Sequence, residues 1–177
     1  MSAPSLRAFS TSYDDAAKVI SAVCTFVLVA AAVVSQSVAL EIIFTLLLVG
    51  VYAWSPLGYS IEGRAIRVHR RSGDAVLPLD DIREARIATA GDLSGCIRLF
   101  GNGGLFGYYG LFSTARLGKC TWYVTNRAHT VVVVTARKTA LFSPDDMDGF
   151  LSAIQSDLGA PGGLGFPCQS PLTREPY

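Results

Sequence analysis

The segment TALFSPDDMDGFLSAIQSDLG, residues 139–159, decides the reading of the fold. It opens as a short apolar strand, 139–142, and turns at once into a helix with a marked start. Ser143 fits the N-cap, Pro144 the first helical position, and Asp145 and Asp146 the first turn, with Asp146 three residues after the cap as in a capping box. Met147, Phe150, Leu151, Ile154 and Leu158 recur at i, i+3, i+4, i+7 and i+11, which makes one apolar stripe. Gly159 suits the C-terminal stop.

That stripe needs an apolar partner, and the residues before it supply one. Short runs at 58–61, 65–69, 75–77, 83–88, 97–100, 119–125 and 130–135 precede the strand at 139–142. Ile66 and Val68 alternate with Arg67 and His69, the period of a half-buried strand. Turn signals at Glu62-Gly63, Arg71-Ser72-Gly73-Asp74 and Asn126-Arg127-Ala128-His129 punctuate the series. Strands at intervals of about 8 to 12 residues predict an antiparallel barrel or sandwich, capped by the C-terminal helix. Residues 159–177, rich in Gly and Pro, are expected to be a disordered tail.

Before the strands the composition changes. The chain of 177 residues is 50% hydrophobic and 16% charged, but residues 19–54 hold one charge, Glu41, while 58–158 hold 22. Such a split excludes a disordered chain. The apolar length is too small for a multi-helix transporter, and four Cys do not make a disulfide-dense scaffold. One helix across 19–54 would run roughly 54 Å, against about 30 Å of bilayer hydrocarbon, so two antiparallel transmembrane helices within 16–55 are expected. Pro56 stops the second, Tyr52 and Trp54 suit an interfacial belt, and Ala22, Ala30, Ala31 and Ala32 could pack one helix on the other. Glu41 invites a functional reading as an intramembrane carboxylate, but its place in the first turn of the second helix favours the plainer expectation that it faces headgroups and complements the helix dipole. Arg7 and Lys18 precede the pair and Arg64, Arg67, Arg70 and Arg71 follow it, while the turn between carries no base. The positive-inside rule then puts both termini and the β domain in the cytoplasm, on a multi-pass inner-membrane anchor. A signal-peptide core with a cleavage site at Ser37-Val38-Ala39, and a buried hairpin in a soluble domain, are the rival readings. The domains expected are an N-terminal segment 1–15, the helix pair 16–55, the β domain 58–158 and the tail 159–177.

Four stretches carry a family resemblance: FGNGGLFGYYGLF at 100–112, YVTN at 123–126, VVVVT at 131–135 and LFSPDDMDGFL at 141–151. With the order of strands and one terminal helix, they resemble a family of small bacterial pleckstrin-homology-like (PH-like) membrane proteins. The resemblance implies a PH-like barrel or sandwich facing the cytoplasm on a membrane anchor. It implies no reaction, ligand, cofactor or catalytic residue.

Two features are candidates for contact with lipid or a partner. The Gly-rich stretch has no Gly-Lys-Ser/Thr of a P-loop and no dinucleotide fingerprint. It is expected either to present Phe106, Tyr108 and Tyr109 to headgroups or a partner, or to form a bulged strand pair whose aromatics fill the barrel. The second feature is charge: residues 58–142 hold 12 Lys/Arg against 6 Asp/Glu, and 143–158 hold four Asp and no base. Arg64, Arg67, Arg70 and Arg71 would then attract an anionic leaflet. Arg70-Arg71 correspond to the start of the phosphate-binding loop of eukaryotic PH domains, without its Lys-rich signature, which points to generic attraction.

Catalytic chemistry is not expected. His69 and His129 have no acidic partner close in sequence, and Cys24, Cys96, Cys120 and Cys168 lack zinc spacing. Cys96 and Cys120 are expected to be reduced thiols. The net charge of +1 gives no nucleic-acid signal. The function expected is a non-enzymatic binding or assembly module that contacts a protein partner, anionic lipid headgroups or both, with no cofactor or metal. The alternative is an accessory subunit of a membrane transport or envelope enzyme complex.

Overall fold

The computed structural model describes residues 7–79 and 82–158. The expected tail at 159–177, the helix stop at Gly159, Cys168 and the turn residues Asp80 and Asp81 lie outside the described residues. A strand, β1 (Arg7–Ser10), precedes two helices, α1 (Asp15–Ser35) and α2 (Val38–Trp54). Strands β2 (Pro56–Glu62), β3 (Ala65–Arg70), β4 (Ala75–Pro78) and β5 (Ile82–Ile87) follow, then a one-turn helix α3 (Ala90–Leu93). The chain continues through β6 (Ile97–Gly104), β7 (Gly107–Thr114), β8 (Gly118–Val124), β9 (Val131–Thr135) and β10 (Thr139–Phe142) to α4 (Met147–Leu158).

Two open sheets form a sandwich, where a closed barrel was one expectation. One has the order β1-β2-β3-β4 and the other β5-β9-β10-β8-β7-β6. Hairpins make most pairings antiparallel, but β10 enters between β9 and β8 and runs parallel to β8, with Leu141 opposite Trp122. The all-antiparallel expectation is corrected there, because the β8–β9 connection crosses over rather than closing a hairpin.

The alternation of each strand sends its residues to two cores. Tyr59, Ile61, Ile66, Val68, Val131, Val133 and Phe142 pack between the sheets with Phe150 and Ile154 of α4. The opposite face of the six-stranded sheet carries a second cluster, Tyr108, Phe112, Cys120, Trp122, Val124, Val132 and Leu141. Ala17 of α1 closes on this cluster and is fully buried, so the first helix begins inside the β domain.

Two local expectations change. The N-cap of α4 is Asp146, whose Oδ1 accepts the Gly149 N–H at 2.9 Å, three residues later than Ser143. Ser143 is buried and its hydroxyl accepts the Thr125 N–H at 2.8 Å, tying β10 to β8. Of the four alanines expected between the helices, Ala32 is buried, while Ala22 and Ala31 are exposed.

Candidate functional site

The helices join the β domain through a dense polar junction. Asp14 caps α1 by accepting the Ala17 N–H at 2.6 Å, and its other oxygen accepts the Arg127 N–H at 3.3 Å. At the far end of the helix pair only Ser55 separates α2 from β2. Its hydroxyl donates to the Phe106 carbonyl at 2.7 Å and lies 2.7 Å from the Tyr13 hydroxyl. Phe106 N–H in turn donates to Ser21 Oγ of α1 at 2.8 Å. The tip of the β6–β7 hairpin is therefore held between the feet of both helices.

Glycine makes that hairpin possible. Gly101 and Gly110 face each other across β6 and β7 at φ 113° and 126°. A Cβ on either would stand 2.3 Å from the carbonyl oxygen of Tyr109 or Phe100. At the turn, Asn102 Nδ2 donates to the Leu105 and Gly107 carbonyls.

The three aromatic candidates take different places. Phe106 is half-buried and packs edge-on against Tyr52 of α2, with ring centroids 5.2 Å apart. Tyr108 is buried under the Arg127 guanidinium, 5.4 Å from its ring centroid. Tyr109 is buried and donates to the Val51 carbonyl of α2, and burial pushes its hydroxyl pKa up to about 12. The Gly-rich stretch thus forms a strand pair, in continuous register from Gly101 opposite Gly110 to Gly104 opposite Gly107, whose aromatics brace the helices and pack against the domain.

The four arginines do not form one patch. Arg71 is exposed and stacks over Tyr52, 4.2 Å from its ring centroid, beside the end of α2. Arg70 is next to it and donates through Nε to the Gly73 carbonyl. Arg67 lies mid-strand and pairs with Glu62 at 2.9 Å. Arg64 sits at the opposite end of the β2–β3 hairpin from Arg70 and Arg71. A rise of about 3.3 Å per residue separates the two ends by roughly 20 Å.

His69 has partners that sequence neighbours did not reveal. Its Nδ1 is 3.2 Å from Asp74 Oδ2 and its Nε2 is 2.9 Å from Ser60 Oγ, on the outward face of the four-stranded sheet. The expectation that His69 lacks an acidic partner is corrected, because the β3–β4 turn folds Asp74 back onto it. Ser-His-Asp is the order of a nucleophile relay. Here Ser60 is 2% exposed, and β2 is paired on both edges, so its backbone offers no free N–H pair to hold an oxyanion. Among the described residues no group of three or more His, Cys, Asp and Glu could hold a metal ion, and Cys24, Cys96 and Cys120 are free thiols.

Two concave surfaces flank the hairpin. An apolar groove of about 450 Å³ lies between α2 and the strands, lined by Leu46, Leu47, Val51, Trp54, Phe100 and Tyr109. On the other face a cavity of about 360 Å³ holds Arg98 and Arg127 above Tyr108, Phe112 and Trp122. Sequence reasoning missed both arginines, which stand 29 positions apart and meet only through the sheet.

Two packed sheets closed by one C-terminal helix define a small PH-type sandwich, a class of generally non-catalytic binding modules. The chain belongs to the bacterial PH domain family, whose model matches residues 57–158. No curated protein and no solved structure matches it.

Proposed function

We propose that this protein is a membrane-anchored PH-type binding module whose β domain is held against the cytoplasmic leaflet by α1 and α2. The observation that carries the reading is how little protein covers the helices. α1 is long and apolar enough to cross a bilayer, yet only 17% of its most apolar window is buried. Phe26, Val33 and Val34 are 74%, 66% and 82% exposed, and α2, shorter at 17 residues, exposes Val38, Ile42, Ile43 and Leu46. A core helix of a soluble domain would bury such side chains, since each costs about 1.5 to 3 kcal/mol to leave in water. The turn at Gln36-Ser37 and the domain contacts at both feet suit a hairpin of two spans with termini on one side.

In this reading the basic side of the domain adds attraction to anionic headgroups, of the order of 1 kcal/mol per well-placed base. Arg70 and Arg71, beside the foot of α2, are the placed pair; Arg67 and Arg64 contribute less. Phe106 sits at the same level, while Tyr108 and Tyr109 act by holding the hairpin there. The domain acts by binding, without catalysis. The test is alkaline carbonate extraction of the full chain combined with a topology reporter fused after Tyr177. Retention in the membrane with cytoplasmic reporter activity is expected; release by carbonate or periplasmic activity overturns the reading.

A specific observation favours an accessory-subunit version. β6 is an edge strand, and Ile97, Leu99 and Phe100 on it are 65%, 48% and 73% exposed. An unpaired apolar edge is a site for strand addition by a protein partner. Affinity capture in detergent that recovers a stoichiometric transport or envelope enzyme would support this version, and loss of that partner from an Ile97→Lys, Leu99→Lys variant would locate it.

A further inference from the structure

We infer that Arg98 and Arg127 form a phosphoryl-binding site on the outer face of the six-stranded sheet, with Tyr108, Phe112 and Trp122 as its floor. The cavity there, about 360 Å³, is within the size of ligand pockets and open on one side. Its two cations are placed by different devices. Arg127 is held over the Tyr108 ring at 5.4 Å, where the π face replaces a counter-ion. Arg98 runs along Gly103, and a Cβ at that position would come within 3.3 Å of its Nη1.

The second argument is what the cations lack. Arg67 pairs with Glu62, and Arg86 with Asp92 and Glu84, but among the described residues neither Arg98 nor Arg127 forms an ion pair. The neighbouring carboxylate, Asp14, is engaged by the Ala17 and Arg127 backbone N–H groups as the cap of α1. Two guanidinium groups that form no ion pair and line one cavity over an aromatic floor supply the charge and the forked donors that a tetrahedral phosphoryl group accepts.

The position suggests the source. Gly104 abuts Ile20, and Ser21 Oγ donates to the Gly104 carbonyl at 3.4 Å, so the cavity lies at the level where α1 leaves the domain. Beyond that level Val23 and Phe26 are exposed. If α1 spans the bilayer, as the proposed function has it, this is headgroup depth, and the phosphoryl group is that of an anionic lipid. The site itself does not depend on that reading; a soluble phosphorylated molecule would present the same chemistry.

The test uses the full chain in detergent. Retention of dioleoyl phosphatidylglycerol is measured by native mass spectrometry, and binding of inorganic phosphate by calorimetry, for the parent, for R98Q/R127Q and for R70Q/R71Q. Retained lipid is expected to fall about tenfold or more in R98Q/R127Q, with unchanged thermal unfolding, and much less in R70Q/R71Q. Displacement of the lipid by phosphate confirms the phosphoryl contact. Phosphate binding without lipid retention, lost in R98Q/R127Q, keeps the site and assigns it to a soluble ligand. Equal binding by parent and R98Q/R127Q, or no binding of either probe by the parent, overturns the proposal. Carbonate extraction reports on the anchor separately, so the site and the membrane reading can fail independently.

Discussion

Asp92 shows how much one buried side chain can organise. Its carboxylate is fully buried and receives both Nη atoms of Arg86, at 2.6 and 2.9 Å, together with the Thr89 N–H at 2.8 Å. These bonds hold α3 onto the end of β5, and the Arg86 guanidinium keeps the carboxyl well below the usual carboxylate range. The folded-state pKa is depressed, so the stability this group contributes is complete above its unfolded value of about 4. It is lost as pH falls below 4 toward the folded value. Thermal unfolding of the full chain against pH is therefore expected to weaken below about pH 4, and Asp92→Asn should reduce that dependence while costing about 1 to 3 kcal/mol at pH 7, since Arg86 keeps its pairing with Glu84. A pH profile identical in variant and parent would refute the assignment. Tyr59 plays a comparable part in the inter-sheet core: its hydroxyl donates to the Tyr123 carbonyl at 2.5 Å and accepts the Ser143 N–H at 3.1 Å. Tyr59→Phe leaves that buried N–H without its acceptor and should cost about 1 to 3 kcal/mol, read from the shift in Tm.

Among the elements, α4 and the β6–β7 hairpin depend on particular positions. Chain pattern places the start of α4 at Ser143, whereas packing delays it to Asp146 because Ser143 is drawn into the bonds between β8 and β10. The two roles predict an inverted ranking. Asp146→Ala removes an exposed cap and should cost about 1 kcal/mol. Ser143→Ala orphans the buried Thr125 N–H and should cost more, about 1 to 3 kcal/mol. Equal losses in denaturant unfolding would restore Ser143 as a simple cap. In the hairpin, Gly101→Ala would force a Cβ against the Tyr109 carbonyl at a positive φ. Strain of about 1 to 3 kcal/mol is expected, with loosening of the hairpin from α2. Hydrogen exchange at β6 and β7, faster in the variant and unchanged at β9, would report it.

Across the whole molecule, the helices and the sandwich are joined without a linker. Tyr13, Ser55, Phe106 and Tyr109 bond across the junction, so the domain keeps one orientation relative to α1 and α2. Tyr109 also gives the junction a pH limit. Its folded pKa, about 12, stands above the ordinary 10, so its neutral form stabilises the fold fully below pH 10. As pH rises from 10 to 12, stability of the order of 2 kcal/mol is lost from this group, and Tyr109→Phe should remove that share of the alkaline decline, the rest belonging to Tyr59, Tyr108 and Tyr123, whose hydroxyls burial also raises. If the variant declines as the parent does, another group is responsible. What the sequence determined by itself was local or periodic: the apolar run at 19–54 with its single charge, the eight short strands at their spacing, the amphipathic stripe of α4 and the family. These follow from nearest neighbours along the chain, which fix period and turns before any packing. Tertiary structure alone decided the rest. It added β1 to the edge of β2, inserted β10 in parallel beside β8, left the sheets open and moved the cap of α4. It brought Asp74 and Ser60 to His69, separated Arg64 from Arg70 and Arg71, and set Arg98 beside Arg127. Each of these depends on which strands become neighbours, and that choice is made by burial shared over the whole sandwich rather than by any single segment.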